Sequence, residues 1–177
     1  PGPRRRRARS GAPGCGRAGR TRPCTAASFP FLRDPTLLGP EARADHPDLE
    51  YPFVALVASG GHTALYACRG PREIVRLGQT HDDAAGECFD KSARVLGLPY
   101  PGGAPIDRLA KEGRDDAYTL PHPFVGENPY DMSFSGLKTA VINLAHHCEQ
   151  TGEALDRAGL AASLCRAVSE SLVPRTL

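Results

Sequence analysis

Three short segments of the chain carry residues whose types and spacing could do chemistry. The first is VASGGHT at 57–63, where a glycine pair separates two apolar runs. Glycine supplies the positive φ of a tight turn, so the pair predicts a β-hairpin. Because Gly60 and Gly61 have no side chains, a ligand could also approach their backbone N–H groups closely.

The second segment, DDAAGECFDKSARVLGLPYPGG at 82–103, has apolar residues at helical spacing. Thr80 and Asp83 resemble a capping box at the start of this helix, and Gly97 with Pro99 stops it. We expect one buried stripe on the helix, formed by Ala85, Cys88, Phe89, Ser92, Val95 and Leu96.

The opposite face of this helix is polar, with Asp83, Gly86, Glu87, Asp90 and Arg94 along it. Glycine inside a helix costs roughly 1 kcal/mol relative to alanine, so we expect another backbone to pack closely on Gly86. The charges leave two interpretations open. They form either a solvated face with a Glu87–Lys91 pair or a binding face.

The third segment, PGGAPIDRLAKEG at 101–113, is a glycine turn that opens a helix. Pro105 suits the first helical turn, Asp107 sits early in it, and Gly113 ends the helix. Backbone N–H groups at such a start readily bind an anion or a hydroxyl group. An ordinary turn with a good helix start is an equal alternative.

A further helix is predicted in DMSFSGLKTAVINLAHHCE, after a strand-like start, with Ser135 as N-cap and Gly136 as its first residue. Lys138 then lies in the first turn, where the helix dipole disfavours a cation. Either an anionic ligand or partner offsets this lysine, or it is a flexible surface residue.

The remaining elements have no chemistry of their own. YPFVALVASGGHTALYAC predicts two strands around the glycine turn, and EIVRLGQT predicts a third. A last helix buries one face, which carries Leu160, Leu164, Cys165, Val168 and Leu172.

The first part of the chain differs in composition from the rest. Residues 1–34 hold nine arginines and one acid, Asp34, and are rich in proline and glycine. Such a composition cannot bury enough apolar surface to offset its ordering entropy, so residues 1–42 are predicted to be disordered. An RNA-binding arm, a targeting segment and a misread reading frame are the alternatives for this segment, and we expect residues 43–177 to form the folded part.

Overall composition is typical of a soluble globular protein. The chain has 177 residues, 40% of them hydrophobic. No stretch approaches the roughly 18 apolar residues of a membrane span. The cysteines show no CxxC pair, so we expect free thiols in a reducing, cytoplasmic location; they are Cys15, Cys24, Cys68, Cys88, Cys148 and Cys165.

Taken together, VASGGHT, DDAAGECFDKSARVLGLPYPGG and SFSGLKTAV resemble one family in order and spacing. From about Arg43 onward the chain is similar to the tRNA N6-adenosine threonylcarbamoyltransferases, once labelled O-sialoglycoprotein endopeptidases. The resemblance implies part of an actin-like ATPase fold, an α/β architecture of the ribonuclease-H-like type shared with sugar kinases. It also implies transfer of a threonylcarbamoyl group from threonylcarbamoyl-AMP to N6 of adenosine 37 in tRNAs that read codons beginning with A.

The resemblance implies substrate-binding residues at three places. The segment of Val57, Ala58, Ser59, Gly60 and Gly61 would face the phosphate and carbamoyl side of the donor. Asp90, Gly103 and Asp107 would contact the adenylate, the two aspartates through ribose hydroxyls. His62 and Lys138 lie inside family motifs without an assigned step.

The resemblance also implies tRNA, partner proteins of the same pathway and one divalent metal, iron or zinc, as components of the complete protein. The family holds the metal with a His-x-x-x-His pair and a late aspartate. The six histidines of this chain form no such pair. His46 is therefore not expected to bind a metal, and His146 and His147 are expected on a helix surface.

Two alternatives to the transferase remain open. One is an actin-fold phosphotransferase similar to sugar kinases, which nucleotide hydrolysis with candidate sugars would reveal. The other is a noncatalytic nucleotide- or RNA-binding fragment, in which the arginine-rich segment would contact RNA and give a salt-dependent affinity.

We predict that the chain alone does not transfer threonylcarbamoyl to tRNA, because the family's metal ligands and flanking lobes are not in it. The measurement is formation of modified tRNA from threonylcarbamoyl-AMP by the purified chain. Product formed without added full-length protein would contradict the prediction.

Overall fold

The computed structural model of the protein describes residues 50–70, 72–122 and 126–177. The arginine-rich segment 1–42 and His46 lie outside the described residues. Within them the chain is α/β. Three strands come first, β1 (Phe53–Ala58), β2 (Thr63–Gly70) and β3 (Glu73–Gln79), followed by four helices, α1 (Ala85–Val95), α2 (Gly103–Ala110), α3 (Ser135–Thr151) and α4 (Arg157–Thr176).

The three strands form one antiparallel sheet in the order β1-β2-β3. The β1–β2 register runs from Phe53 opposite Cys68 to Ala58 opposite Thr63, which leaves Ser59–His62 as the connecting turn. The predicted hairpin and third strand are therefore confirmed. The reason given for the glycine pair is wrong, because positive φ occurs in the described residues only at Gly97, Gly126 and Gly152.

A short segment adds to the end of this sheet. Thr80 forms an isolated parallel bridge with Met132, and the Met132 N–H donates to the Gln79 carbonyl at 3.0 Å. This single bridge replaces the strand-like start expected before the helix at 135. Gly78 lets the segment approach, since a Cβ built on it would lie 2.2 Å from the Tyr130 carbonyl oxygen.

The core forms where the sheet, α1, α3 and α4 meet, and its fully buried side chains include Leu65, Cys88, Phe134, Leu137, Leu160 and Leu164. The predicted stripe of α1 is confirmed, with Ala85, Cys88, Ser92 and Leu96 buried and Phe89 and Val95 packed against them. The predicted face of α4 is confirmed as well, since Leu160, Leu164 and Val168 are buried. Gly97, at φ +64°, follows the end of α1 as expected.

Burial raises the pKa of two thiols in these helices. The pKa of Cys88 is raised to about 12, and that of Cys165 to about 11, in each case chiefly by removal of the thiol from water. The described cysteines are free, which agrees with the expectation of reduced thiols. Over the described ranges, no helix is both long enough and apolar enough to cross a membrane.

We predict that Gly78→Ala destabilises the fold by about 2–3 kcal/mol, since the new methyl meets backbone atoms that cannot rotate away. Gly136→Ala is the matched control, because a Cβ there has no neighbour within 4 Å. Urea denaturation measures both variants. Equal effects of the two substitutions would contradict the prediction.

Candidate functional site

The turn between β1 and β2 sits on the N-terminus of α1. The Gly86 N–H donates to the Ser59 carbonyl at 3.1 Å, and the Ala85 N–H donates to Thr63 Oγ1 at 2.9 Å. Both donors are among the first N–H groups of the helix, which have no partner within it. A Cβ on Gly86 would lie 2.5 Å from the Ser59 oxygen, so the expected close packing on Gly86 is confirmed.

The capping box predicted for this helix is wrong. Thr80 Oγ1 donates to the Asp83 carbonyl at 2.8 Å, and Ala84, the residue at the N-cap position of α1, makes no side-chain cap. The helix begins two residues beyond Asp83, and its first N–H groups are satisfied by the hairpin instead. The cap is thus tertiary rather than local.

Inside the turn, Ser59 organises the backbone. Its N–H donates to the His62 carbonyl at 2.8 Å, and its Oγ accepts the His62 N–H at 3.0 Å and, more weakly, the Gly61 N–H at 3.3 Å. The Gly60 N–H has no partner within the described part of the chain. No described atom lies within 4 Å of a Cβ built on Gly61. The turn therefore has open space at Gly61 and one donor without a described partner at Gly60, whose nitrogen lies beside Gly86.

Asp90 lies one helical turn after Gly86 and links the hairpin to the next glycine pair. Its Oδ1 accepts the Gly102 N–H at 2.6 Å. Its Oδ2 lies 3.8 Å from the position of a Cβ on Gly60. One carboxylate oxygen thus holds the start of α2, and the other faces the hairpin turn.

The two glycines before α2 differ in their surroundings. Gly102 is buried, and a Cβ there would lie 2.5 Å from the Ala93 Cβ, so this residue must be small for α1 and α2 to pack. Gly103 is exposed with nothing within 4 Å of its Cβ position. Open space therefore lies at the first residue of α2, whose N–H is free for a ligand as in other helix starts.

Asp107 lies one turn beyond Gly103 and on the same face of α2. Its carboxylate is exposed and pairs with Lys111 at 2.8 Å. It lines a groove of about 780 Å³ between α2 and α4, next to Cys165. The contacts that join Gly60, Asp90 and Gly102 do not extend to Asp107.

Of the other predicted site residues, Val57 and Ala58 end β1, the first half-buried and the second exposed. His62 is exposed at the turn. His146 and His147 are exposed on α3, as expected. The structure thus brings the 59–61 turn, Asp90 and the start of α2 together and places Asp107 further along α2.

The acids on the polar face of α1 differ in their surroundings. Glu87 and Lys91 form the expected ion pair at 2.7 Å, and both are more than a third exposed. Asp90, on the same face, is half-buried and holds α2. The solvated-face interpretation is therefore right for Glu87 and wrong for Asp90.

Sequence reasoning missed the roles of the two acids that precede α1. Asp82 accepts four hydrogen bonds from the start of α3, two from the hydroxyls of Ser133 and Ser135 and two from the N–H groups of Phe134 and Ser135. Asp82 therefore caps α3, and the expectation that Ser135 is its N-cap is wrong. Helix α3 begins at Ser135, one residue earlier than expected.

Asp83 supplies the anion that balances Lys138. The Lys138 Nζ lies 2.7 Å from Asp83 Oδ2, and the two side chains are 21% and 15% exposed. The lysine is therefore neither a flexible surface residue nor in need of an anionic ligand. The adjacent DD pair was the available signal, but nothing in its spacing predicts partners about fifty residues away.

Partial burial alone would raise the pKa of Asp82, but its hydrogen bonds with Ser133, Ser135 and the backbone at 134–135 lower it below the usual range. The His81 ring nitrogen lies 2.6 Å from Asp131 Oδ2. Burial alone would raise the pKa of Asp131 as well, but His81 and the Gln79 N–H lower it below the usual range. Both carboxylates join the end of β3 to the segment before α3.

The fold and these contacts define an α/β protein in which a half-buried carboxylate lies between two glycine bends. Residues 37–177 match the family model described as tRNA N6-adenosine threonylcarbamoyltransferase. The chain belongs to the tRNA N6-adenosine threonylcarbamoyltransferase family.

Curated relatives with that name agree with the family match. The protein from Moorella thermoacetica is 53% identical over 132 residues, which are 75% of this chain and 39% of the relative. The protein from Latilactobacillus sakei is 52% identical over 129 residues, 73% of this chain and 37% of the relative. The chain thus spans about two fifths of the length of these relatives.

The residues present do not fit the metal site that the resemblance implies. The chain has no His-x-x-x-His pair. Among the residues that the structure describes, no three His, Cys, Asp or Glu side chains are grouped so as to hold a metal ion.

We predict that Asp82 makes stability depend on pH. Because folding lowers its pKa, its contribution is present above the unfolded value of about 4 and is lost as the pH falls through the lower folded value. Asp82→Asn should therefore be less stable than the parent at pH 7, and this difference should shrink toward pH 2. Thermal denaturation from pH 7 to pH 2 measures it, and a difference that does not vary with pH would contradict the prediction.

Proposed function

We propose that this chain supplies the donor-binding part of a tRNA threonylcarbamoyltransferase with a partial actin-like fold. The substrates are threonylcarbamoyl-AMP and N6 of adenosine 37 in tRNAs that read codons beginning with A. The observation that carries the proposal is the position of Asp90 between two glycine bends. Family membership and about 50% identity to transferases support it.

The reaction is acyl transfer from a mixed anhydride. The adenosine N6 attacks the carbamoyl carbon, the bond from that carbon to the phosphate oxygen breaks, AMP leaves and N6 loses a proton. The leaving group is already good, so the protein mainly has to orient the donor and stabilise the charge that develops on the phosphate.

We assign the phosphate and carbamoyl side of the donor to the hairpin turn. The free Gly60 N–H can donate to an anionic oxygen, and the open space at Gly61 admits it. The preceding residues Val57, Ala58 and Ser59 hold the turn in place.

We assign the ribose to the carboxylates. Asp90 Oδ1 accepts the Gly102 N–H, which holds the carboxylate in place. Its Oδ2 has no hydrogen-bond partner among the described residues and can accept a hydroxyl. Gly103 leaves space at the start of α2, and Asp107 extends the same helix face. At Asp107 a ligand hydroxyl would have to share the carboxylate with Lys111.

A complete protein of this kind would also need tRNA, pathway partner proteins and the family's divalent metal, iron or zinc, with ligands outside this chain. A tRNA substrate favours a cytoplasmic location. The sugar-kinase-like alternative has less support, because the family match covers residues 37–177. In the alternative of a noncatalytic nucleotide- or RNA-binding fragment, the arginine-rich segment that would contact RNA lies outside the described residues.

We predict that AMP, titrated into the chain, shifts the amide resonances of Gly60, Gly61 and Gly103 in NMR spectra. Asp90→Asn should weaken AMP binding roughly tenfold to a hundredfold, since a hydrogen bond to a charged group contributes about 1.5–3 kcal/mol. Glu73→Gln is the control, an exposed acid paired with Arg69 at the β2–β3 end of the sheet. Binding that leaves these three amides unshifted, or that survives Asp90→Asn intact, would overturn the assignment.

A further inference from the structure

Asp83 joins two elements that the candidate site depends on. It lies two residues before α1, which carries Gly86 and Asp90, and its carboxylate reaches Lys138 in the first turn of α3. The two residues are 55 positions apart, so only the tertiary fold brings them together. The contact therefore fixes the start of α1 relative to α3.

We propose that Asp83 and Lys138 form a positioning pair for the candidate donor site. Their ion pair sets where α1 begins, so that the Gly86 N–H reaches Ser59 and the Asp90 carboxylate reaches Gly102. The inference rests on the proposed function, and it adds two residues to the donor site that touch no ligand themselves.

Each charge of the pair would be unfavourable without the other. Lys138 lies near the positive end of the α3 dipole, where a cation is unfavourable without an anion beside it. Both side chains are mostly buried, so removing either leaves a poorly solvated charge. Lys91 approaches Asp83 at 3.4 Å but is already held by Glu87 at 2.7 Å, so it is a poor substitute for Lys138.

The site is sensitive to the position of α1 because its contacts have little clearance. A methyl group at Gly86 or at Gly102 would lie 2.5 Å from its neighbour. Gly86 and Asp90 are four residues apart and thus on one face of a rigid helix. A shift of the first turn of α1 therefore changes the Ser59 contact and the Gly102 contact together.

Asp82, one residue earlier in the same loop, makes separate contacts with the start of α3. It ties the loop before α1 to the N-terminus of α3 through the four hydrogen bonds from residues 133–135. The loop is thus held to α3 with Asp83 unpaired, and Lys138 variants should retain the fold. This makes the pair testable without global unfolding.

The test is amide hydrogen exchange on the 177-residue chain, followed by AMP titration. Lys138→Met should lower the protection of the Gly86 and Gly102 amides about tenfold and leave α4 amides unchanged, because the opening is local. It should also weaken AMP binding about tenfold. Lys138→Arg keeps the charge and should retain both properties within about twofold.

Two further variants separate the pair from its surroundings. Asp83→Asn combined with Lys138→Met should cost no more than either change alone, because both remove the same interaction. Glu87→Gln is the matched control, since it breaks an α1 ion pair of the same 2.7 Å length that does not reach α3. It should leave the Gly86 and Gly102 amides protected.

Unchanged protection in Lys138→Met, or the same loss in Glu87→Gln, would overturn the positioning pair. Loss of AMP binding with protection intact would overturn it too, because Lys138 would then act on the ligand directly. Failure of the proposed function gives a different result. AMP would leave the glycine amides of the parent chain unshifted, while the exchange data, which need no ligand, would still report on the pair.

Discussion

The N-terminus of α1 donates hydrogen bonds to the hairpin turn, and the site depends on this contact between two backbones. The Gly86 N–H reaches the Ser59 carbonyl only because residue 86 has no Cβ. The contact satisfies a helix donor and holds the turn at the same time. It also sets the rotation of α1, which places Asp90 one turn later beside Gly60. A glycine that weakens the isolated helix thus stabilises its place in the fold.

The three helices around the candidate site begin on tertiary partners. Helix α1 starts on the hairpin, α2 on the Asp90 carboxylate and α3 on Asp82. Helix α4 differs, because its own Asp156 caps it through the Gly159 N–H at 2.9 Å. The contacts that start these helices therefore also set the geometry of the candidate site. A displaced helix would change the site as well as the core.

This coupling explains which features were predictable from the sequence. Strand alternation, helical periodicity and turn residues together located the seven elements of the described residues, because one-sided burial and turn chemistry are local patterns. The caps predicted at Thr80 and Ser135 were wrong, because the N–H groups at the start of each helix donate to acceptors in a distant segment. The positive φ predicted at the glycine pair was also wrong. A Cβ would fit at Gly60 and at Gly61, whereas Gly86 and Gly102 are held to glycine by close neighbours that a sequence pattern does not contain.

The roles of the acids on α1 could not be predicted from the sequence either. Periodicity places Glu87 and Asp90 on one face of α1 and cannot separate a solvated ion pair from a buried acceptor. The structure separates them, since Glu87 pairs with an exposed lysine and Asp90 receives a backbone N–H at 2.6 Å.

The same comparison distinguishes Asp90 from Asp107. Asp90 has one oxygen fixed by the fold and one oxygen without a partner among the described residues, so it can accept a ligand hydroxyl without rearrangement. Asp107 is exposed and held by Lys111, whose side chain must move or share the carboxylate first. Preorganised groups lose less free energy on binding than groups that must be released. We therefore expect binding at the candidate donor site to depend more on Asp90 than on Asp107, although the sequence motif presents them as equals.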